Sequence, residues 1–91
     1  MIQKNAALYI GIVTACVLDR CPDATVHTER RPGSYEMTCM RKVGVGTEAR
    51  SVFDRHTFFE AETAAVSANA LTESARVAGE TIGVTLAAAR A

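Results

Sequence analysis

From Ile2 to Leu18 apolar residues fall on every side of a helical or a pleated projection, so their period does not choose between a buried helix and a buried strand. Ile10, Ile12, Val13, Thr14 and Val17 are β-branched and fit a strand. Asn5 as an N-cap, the alanine pair behind it and the stop at Pro22 fit a helix, and we take the helix as the expectation, with a fourth strand as the alternative. In either form the segment needs cover on more than one side, which makes it core.

After Cys21-Pro22-Asp23 the pattern changes to alternation over Ala24 to Arg30, the period of a strand. Arg31-Pro32-Gly33-Ser34 then reads as a type II turn, because proline presets the first central φ and glycine accepts the positive φ of the second. Beyond it Tyr35, Met37, Cys39 and Val43 face one way and Glu36, Thr38, Met40 and Lys42 the other, with Arg41 breaking the inward set. Gly44-Val45-Gly46 predicts a second tight turn, which returns Thr47 to Phe53 with Ala49, Ser51 and Phe53 inward. The sum is a β-meander over residues 24–54.

Thr57-Phe58-Phe59-Glu60 has the spacing of a capping box and predicts one helix over residues 57–83. Ala61, Ala64, Ala68, Leu71, Ala75, Ala78 and Ile82 form its core stripe, and Gly79 and Gly83 weaken its end, leaving residues 84–91 as a tail of open conformation. A second stripe, Phe59, Val66, Ala70, Val77 and Val84, lies on the far side of that helix. It is either covered by the N-terminal segment or offered to a second copy as a homodimer interface. The expected fold is α+β in one domain: a three-stranded antiparallel sheet backed by a long C-terminal helix, in the order α-β-β-β-α.

Composition narrows what such a domain does. The 91 residues suit one core, built mainly from alanine and valine, with three Phe, two Tyr and no Trp. Ten basic and ten acidic residues cancel, so no overall field draws the chain to nucleic acid or to an anionic membrane. The run Ala6 to Leu18 is shorter than the roughly 18 to 20 residues that cross a bilayer. Lys4 and the apolar stretch ending in Val13-Thr14-Ala15-Cys16 resemble a bacterial lipoprotein signal, though the apolar part is short for one. Three cysteines, Cys16, Cys21 and Cys39, form neither a disulfide framework nor a metal knuckle, which points to the reducing cytoplasm.

No catalytic constellation, metal site or cofactor motif emerges. His27 reads as an exposed strand residue, and His56 has no nucleophile or orienting group placed beside it by the sequence. Cys16 and Cys39 sit on apolar faces, leaving Cys21 as the cysteine to test for reactivity. Gly44-Val45-Gly46 lacks the lysine and the strand-loop-helix setting of a phosphate loop. Glu62, Asn69, Glu73, Arg76 and Glu80 read as a solubilising helix edge. That leaves binding, and the candidate contacts are the first turn and the outward sheet face: Arg30, Arg31, Tyr35, Glu36, Met40, Lys42 and Arg50.

The segment Thr25-Val26-His27-Thr28-Glu29-Arg30-Arg31-Pro32-Gly33-Ser34-Tyr35-Glu36 resembles one of the small phage-encoded anti-CRISPR proteins that inhibit type I-F systems, in its Thr-Val strand, its Thr-Glu pair and the Pro-Gly-Ser-Tyr-Glu that opens the second strand. The resemblance implies a non-enzymatic inhibitor in the host cytoplasm that occupies a surface of a Cas surveillance complex. The N-terminal apolar segment and the longer last helix depart from that pattern. The element order is also similar to double-stranded RNA-binding domains and to small toxins on that fold. Against this, Phe58-Phe59-Glu60-Ala61-Glu62 stands where such domains carry a basic cluster. A homo-oligomeric structural or regulatory protein is the remaining alternative.

Overall fold

The computed structural model describes residues 3–90. Helix α1 spans Lys4–Arg20, strand β1 Thr25–Arg31, β2 Ser34–Val43 and β3 Arg50–Phe59, followed by a short helix α2 at Glu60–Ala64 and helix α3 at Ala68–Ala87. The strands form one antiparallel sheet in the order β1-β2-β3. Both long helices lie on the same face of it, so the domain has two layers.

The apolar N-terminal segment is helical. Its N-cap is Gln3, whose side chain accepts the Ala6 N–H at 3.1 Å. Asn5, expected to cap, is the second residue of the helix and donates instead to the Thr63 carbonyl at 3.1 Å, tying α1 to α2. Ala6, Tyr9, Val13 and Val17 form the buried side of α1.

What lets α1 sit where it does is the surface of α3. A Cβ on Gly79 would lie 2.6 Å from the Cys16 Cβ and 2.7 Å from the Val13 carbonyl oxygen, and one on Gly83 would lie 2.6 Å from the Arg20 Cβ. These two glycines, expected to end the helix, are buried inside it and receive the backbone of α1. Helix α3 continues through Val84 to Ala87, into the region left open as a tail. Because the earlier glycine meets Val13 and the later one Arg20, the two helices run parallel. An odd number of strands between them reverses the chain and permits this.

The β1–β2 turn is as expected: Arg31 pairs with Ser34, and Gly33 has φ 77°. Its carbonyl accepts the Glu60 N–H at 3.0 Å, so the turn is held by the start of α2. The β2–β3 connection is not the expected tight turn. A 3-10 turn at Gly46–Glu48 lengthens it, and Val43 pairs with Arg50. That changes the parity of the returning strand, and a shift of one residue turns every side chain to the opposite face. Val52, Asp54, His56 and Phe58 therefore face the helices, while Ser51 and Phe53, expected inward, face away; Ala49 precedes the strand and is exposed.

β3 also runs on to Phe59, because the ladder with β2 extends as far as Ser34 opposite Phe59. Thr57, the expected N-cap, is a ladder residue opposite Glu36. The Glu side chain that returns to the backbone is Glu62, accepting the Phe59 N–H at 3.3 Å. The single helix expected over residues 57–83 is broken after Ala64. Ser67 accepts the Ala70 N–H at 3.2 Å and so starts α3 afresh. Of the expected core stripe, Leu71, Ala75 and Ile82 are buried and Ala78 partly so, whereas Ala61, Ala64 and Ala68 are exposed.

Arg41, the polar break in the inward side of β2, closes the far end of α3. Its Nη1 donates to the carbonyls of Leu86 at 3.0 Å and Ala89 at 3.1 Å, and its Nε donates to the Asp23 carboxylate at 3.1 Å. The last carbonyls of a helix have no partners within it, and a cation there also meets the negative end of the dipole. The hydrogen bond from Arg41 holds the Asp23 carboxyl below its ordinary range, so this ion pair survives moderate acid.

Three substitutions test this account. Gly79→Ala should lower the free energy of unfolding by about 1–3 kcal/mol despite the better helix propensity of alanine, whereas Gly11→Ala, with open space at its Cβ, should raise it by up to about 1 kcal/mol. Denaturant titration in dilute solution measures both. Arg41→Ala should cost about 1–3 kcal/mol and accelerate amide exchange in the last turn of α3, read by hydrogen-exchange NMR.

Candidate functional site

The helices cover one face of the sheet and leave the other open. Across that open face the register aligns Thr25, Met40 and Phe53 in one row, His27, Thr38 and Arg55 in the next, and Glu29, Glu36 and Thr57 in a third. Phe53, a large apolar side chain, is 55% exposed beside the half-buried Met40. Lys42 and Arg55 flank this pair, and neither makes an ion pair among the described residues. At the turn end, Arg31 Nη2 lies 3.1 Å from Glu29 and 3.6 Å from Glu36, so its charge is satisfied within the chain. The face thus has an apolar pair toward one end of the β2–β3 ladder, cations without ion pairs beside it, and an internally paired cluster of two carboxylates and one guanidinium at the turn end.

The expected contact residues divide between the two faces. Arg31, Glu36, Met40 and Lys42 lie on the open face. Tyr35 does not: it is fully buried, and its ring stacks on Phe58 with centroids 5.2 Å apart. Arg30 shares the helix-side parity of Tyr35, its pairing partner. Arg50 is on that side as well and donates to the Arg90 carbonyl. Phe53, expected inward, and Arg55, which the sequence did not single out, also lie on the open face. Their signal was present in the alternation of β3, but the parity depended on the preceding loop.

The second helix stripe does not form one surface. Phe59 ends β3 on the open face, Val66 lies in the link between α2 and α3, and only Ala70, Val77 and Val84 share α3, where all three are exposed. The N-terminal segment, one candidate to cover the stripe, packs on Gly79 and Gly83 instead.

Beneath the helices is an aromatic cluster. The Tyr9 hydroxyl and His56 Nε2 share a hydrogen bond of 2.7 Å, and the Tyr9 ring lies 4.4 Å from that of Phe58. An open cleft of about 180 Å³ adjoins them, lined by Tyr9, Phe58, Glu62, Thr63, Val66, Ala70, Leu71 and Ser74. Burial pushes the Tyr9 phenol up and the His56 imidazole down, the latter against the pull of Asp54. Both groups are therefore held neutral near pH 7, with His56 bonded to Tyr9. Burial likewise raises the Cys39 thiol to about 11. Cys21 is buried too; burial first, and then its hydrogen bond to Asp23 at 3.3 Å, keeps it protonated. None of these thiols is poised as a thiolate.

The fold and its surfaces define a class: a two-layer α+β domain with a parallel helix pair on one side of a three-stranded meander and an open sheet on the other. Comparison with protein-family models, curated proteins and solved structures found no match for this chain. No helix among the described residues is long and apolar enough to cross a membrane.

The His56 environment carries a pH dependence. An imidazole whose folded value lies below 6.5 binds its proton later than the unfolded chain does, so stability is constant above that value and falls as pH drops through it toward the folded value. The His56 ring resonances in an NMR titration should show a midpoint below 6.5, and His56→Gln should flatten the acid side of the stability curve above the carboxylate range.

Proposed function

We propose that the protein acts by binding another protein through the open sheet face, as a non-enzymatic inhibitor of a larger assembly. The observation that carries this reading is the exposed Phe53 beside Met40, flanked by Lys42 and Arg55. An aromatic anchor in a patch with unpaired cations suits a partner that brings an apolar side chain and carboxylates. Large aromatic and methionine side chains adapt to such contacts, and the free cations speed encounter with an acidic surface.

The resemblance of the β1–β2 hairpin to type I-F anti-CRISPR proteins makes subunits of a Cas surveillance complex the first partner to try. Within that hairpin Arg31 and Glu36 stand at the edge of the open face, while Tyr35 secures the strand to the core. Binding by occupation needs no reacting group, which agrees with Cys21, Cys39, Tyr9 and His56 held in neutral forms.

The test is capture of a type I-F surveillance complex by the tagged protein. Wild-type protein should retain Cas subunits, and Phe53→Ser or the pair Lys42→Glu with Arg55→Glu should weaken retention by about 30-fold or more with unchanged circular dichroism. Retention indifferent to both would remove the open face as the contact, and no retention by the wild type would remove the Cas complex as the partner.

A further inference from the structure

The outward side of α1 is apolar along its length, which is unusual for a face left to solvent. Lys4, Ala7, Leu8, Gly11, Ala15 and Leu18 lie within an arc of about 100° on the helix, and all are exposed, Leu8 to 44% and Leu18 to 38%. At its centre Ala7, Gly11 and Ala15 recur every four residues, and nothing lies within 4 Å of the Cβ position of Gly11. Inside the chain, Gly79 and Gly83 use the same spacing on α3 to receive α1. Small residues so placed let a second helix approach closely.

The charges at the two ends say which helix that is. Lys4 stands in the first turn, at the positive end of the helix dipole, and Asp19 in the last turn, at the negative end, so each has the wrong sign for its own helix. Neither has an ion-pair partner among the described residues. A second copy of α1 laid antiparallel across the first at Gly11 corrects both. It sets Ala7 against Ala15, Gly11 against its own counterpart, and Lys4 of each copy beside Leu18 and Asp19 of the other. The lysine stem then covers the leucine while its ammonium meets the carboxylate. A parallel pair would instead oppose lysine to lysine and aspartate to aspartate.

We infer that two copies of this chain associate through α1, as a two-fold antiparallel helix pair centred on Gly11. The contact is isologous and closed, so it gives a dimer rather than a chain of copies. It lies on the helix layer, away from the open sheet face, and leaves that face free in both copies. It differs from the dimer offered as one alternative for Phe59, Val66, Ala70, Val77 and Val84, whose α3 members offer no small-residue ridge of this kind.

Light scattering and sedimentation over a concentration series provide the test. Wild-type protein should show a monomer–dimer equilibrium that weakens with salt. Lys4→Glu and Asp19→Lys should each raise the dimer Kd by about tenfold, while the double variant, or an equimolar mixture of the two single variants, should recover it. Gly11→Leu should abolish the dimer without loss of helix, since its side chain enters open space. Lys42→Glu with Arg55→Glu should leave the mass unchanged, which separates this contact from partner binding. A wild type monomeric at every concentration would overturn the inference, including one that floats with anionic vesicles and so assigns the face to lipid. A dimer in which the mixed charge variants gain nothing over either alone would overturn the antiparallel geometry.

Discussion

Everything in the helix layer depends on the approach of α1 to Gly79 and Gly83. The backbone of α1 occupies the space where two side chains would stand on any other residue. This brings Val13 and Val17 down into the same core as Ile82 and Leu86, so small side chains suffice to fill it. A core short of large aromatics needs such proximity, because dispersion contacts fall away steeply with distance. The glycines weaken the helix locally and strengthen the packing, and the packing prevails because the helix is anchored at both ends.

Those anchors are polar. Ser67 supplies the cap that begins α3, and Arg41 crosses from the middle of the sheet to bind the carbonyls at its end. Asn5 and the Gly33 carbonyl hold α2 between α1 and the first turn. Sheet and helices are thus joined by a few directional bonds at the margins of a core that is otherwise apolar. Asp23 completes the Arg41 cluster and fixes the connection between α1 and β1.

With both long helices on one side, the second face of the sheet is left without cover, and the two surfaces acquire different characters. The open sheet is mixed, with an exposed aromatic on its β3 edge and cations without ion pairs near it, which suits a contact that selects its partner by charge. The outer side of α1 is small and apolar with one charge at each end, which suits self-association. The aromatic cluster between the layers is tied up in its own hydrogen bond and stacking, and it serves to join α1 to β3.

Much of this was legible in the residues. The Pro-Gly turn and the two sides of β2 follow from local chemistry and period, which act over a few neighbours; the N-terminal segment fits helix and strand alike by period, and only its flanking residues favoured the helix it forms. Arg41 announced itself as a break in an apolar side, although its target lies 45 residues away at Leu86. Two kinds of feature were decided only by the folded chain. One is the parity of β3, set by how the Gly44–Ala49 connection closes: the 3-10 turn there moves Phe53 and Arg55 to the open face and His56 and Phe58 to the core. The other is the role of Gly79 and Gly83, which by propensity alone end a helix and by contact with α1 sit at its heart. Local sequence determines which conformations are cheap, but which side of an element is buried is set by elements distant in the chain, and only tertiary packing brings those together.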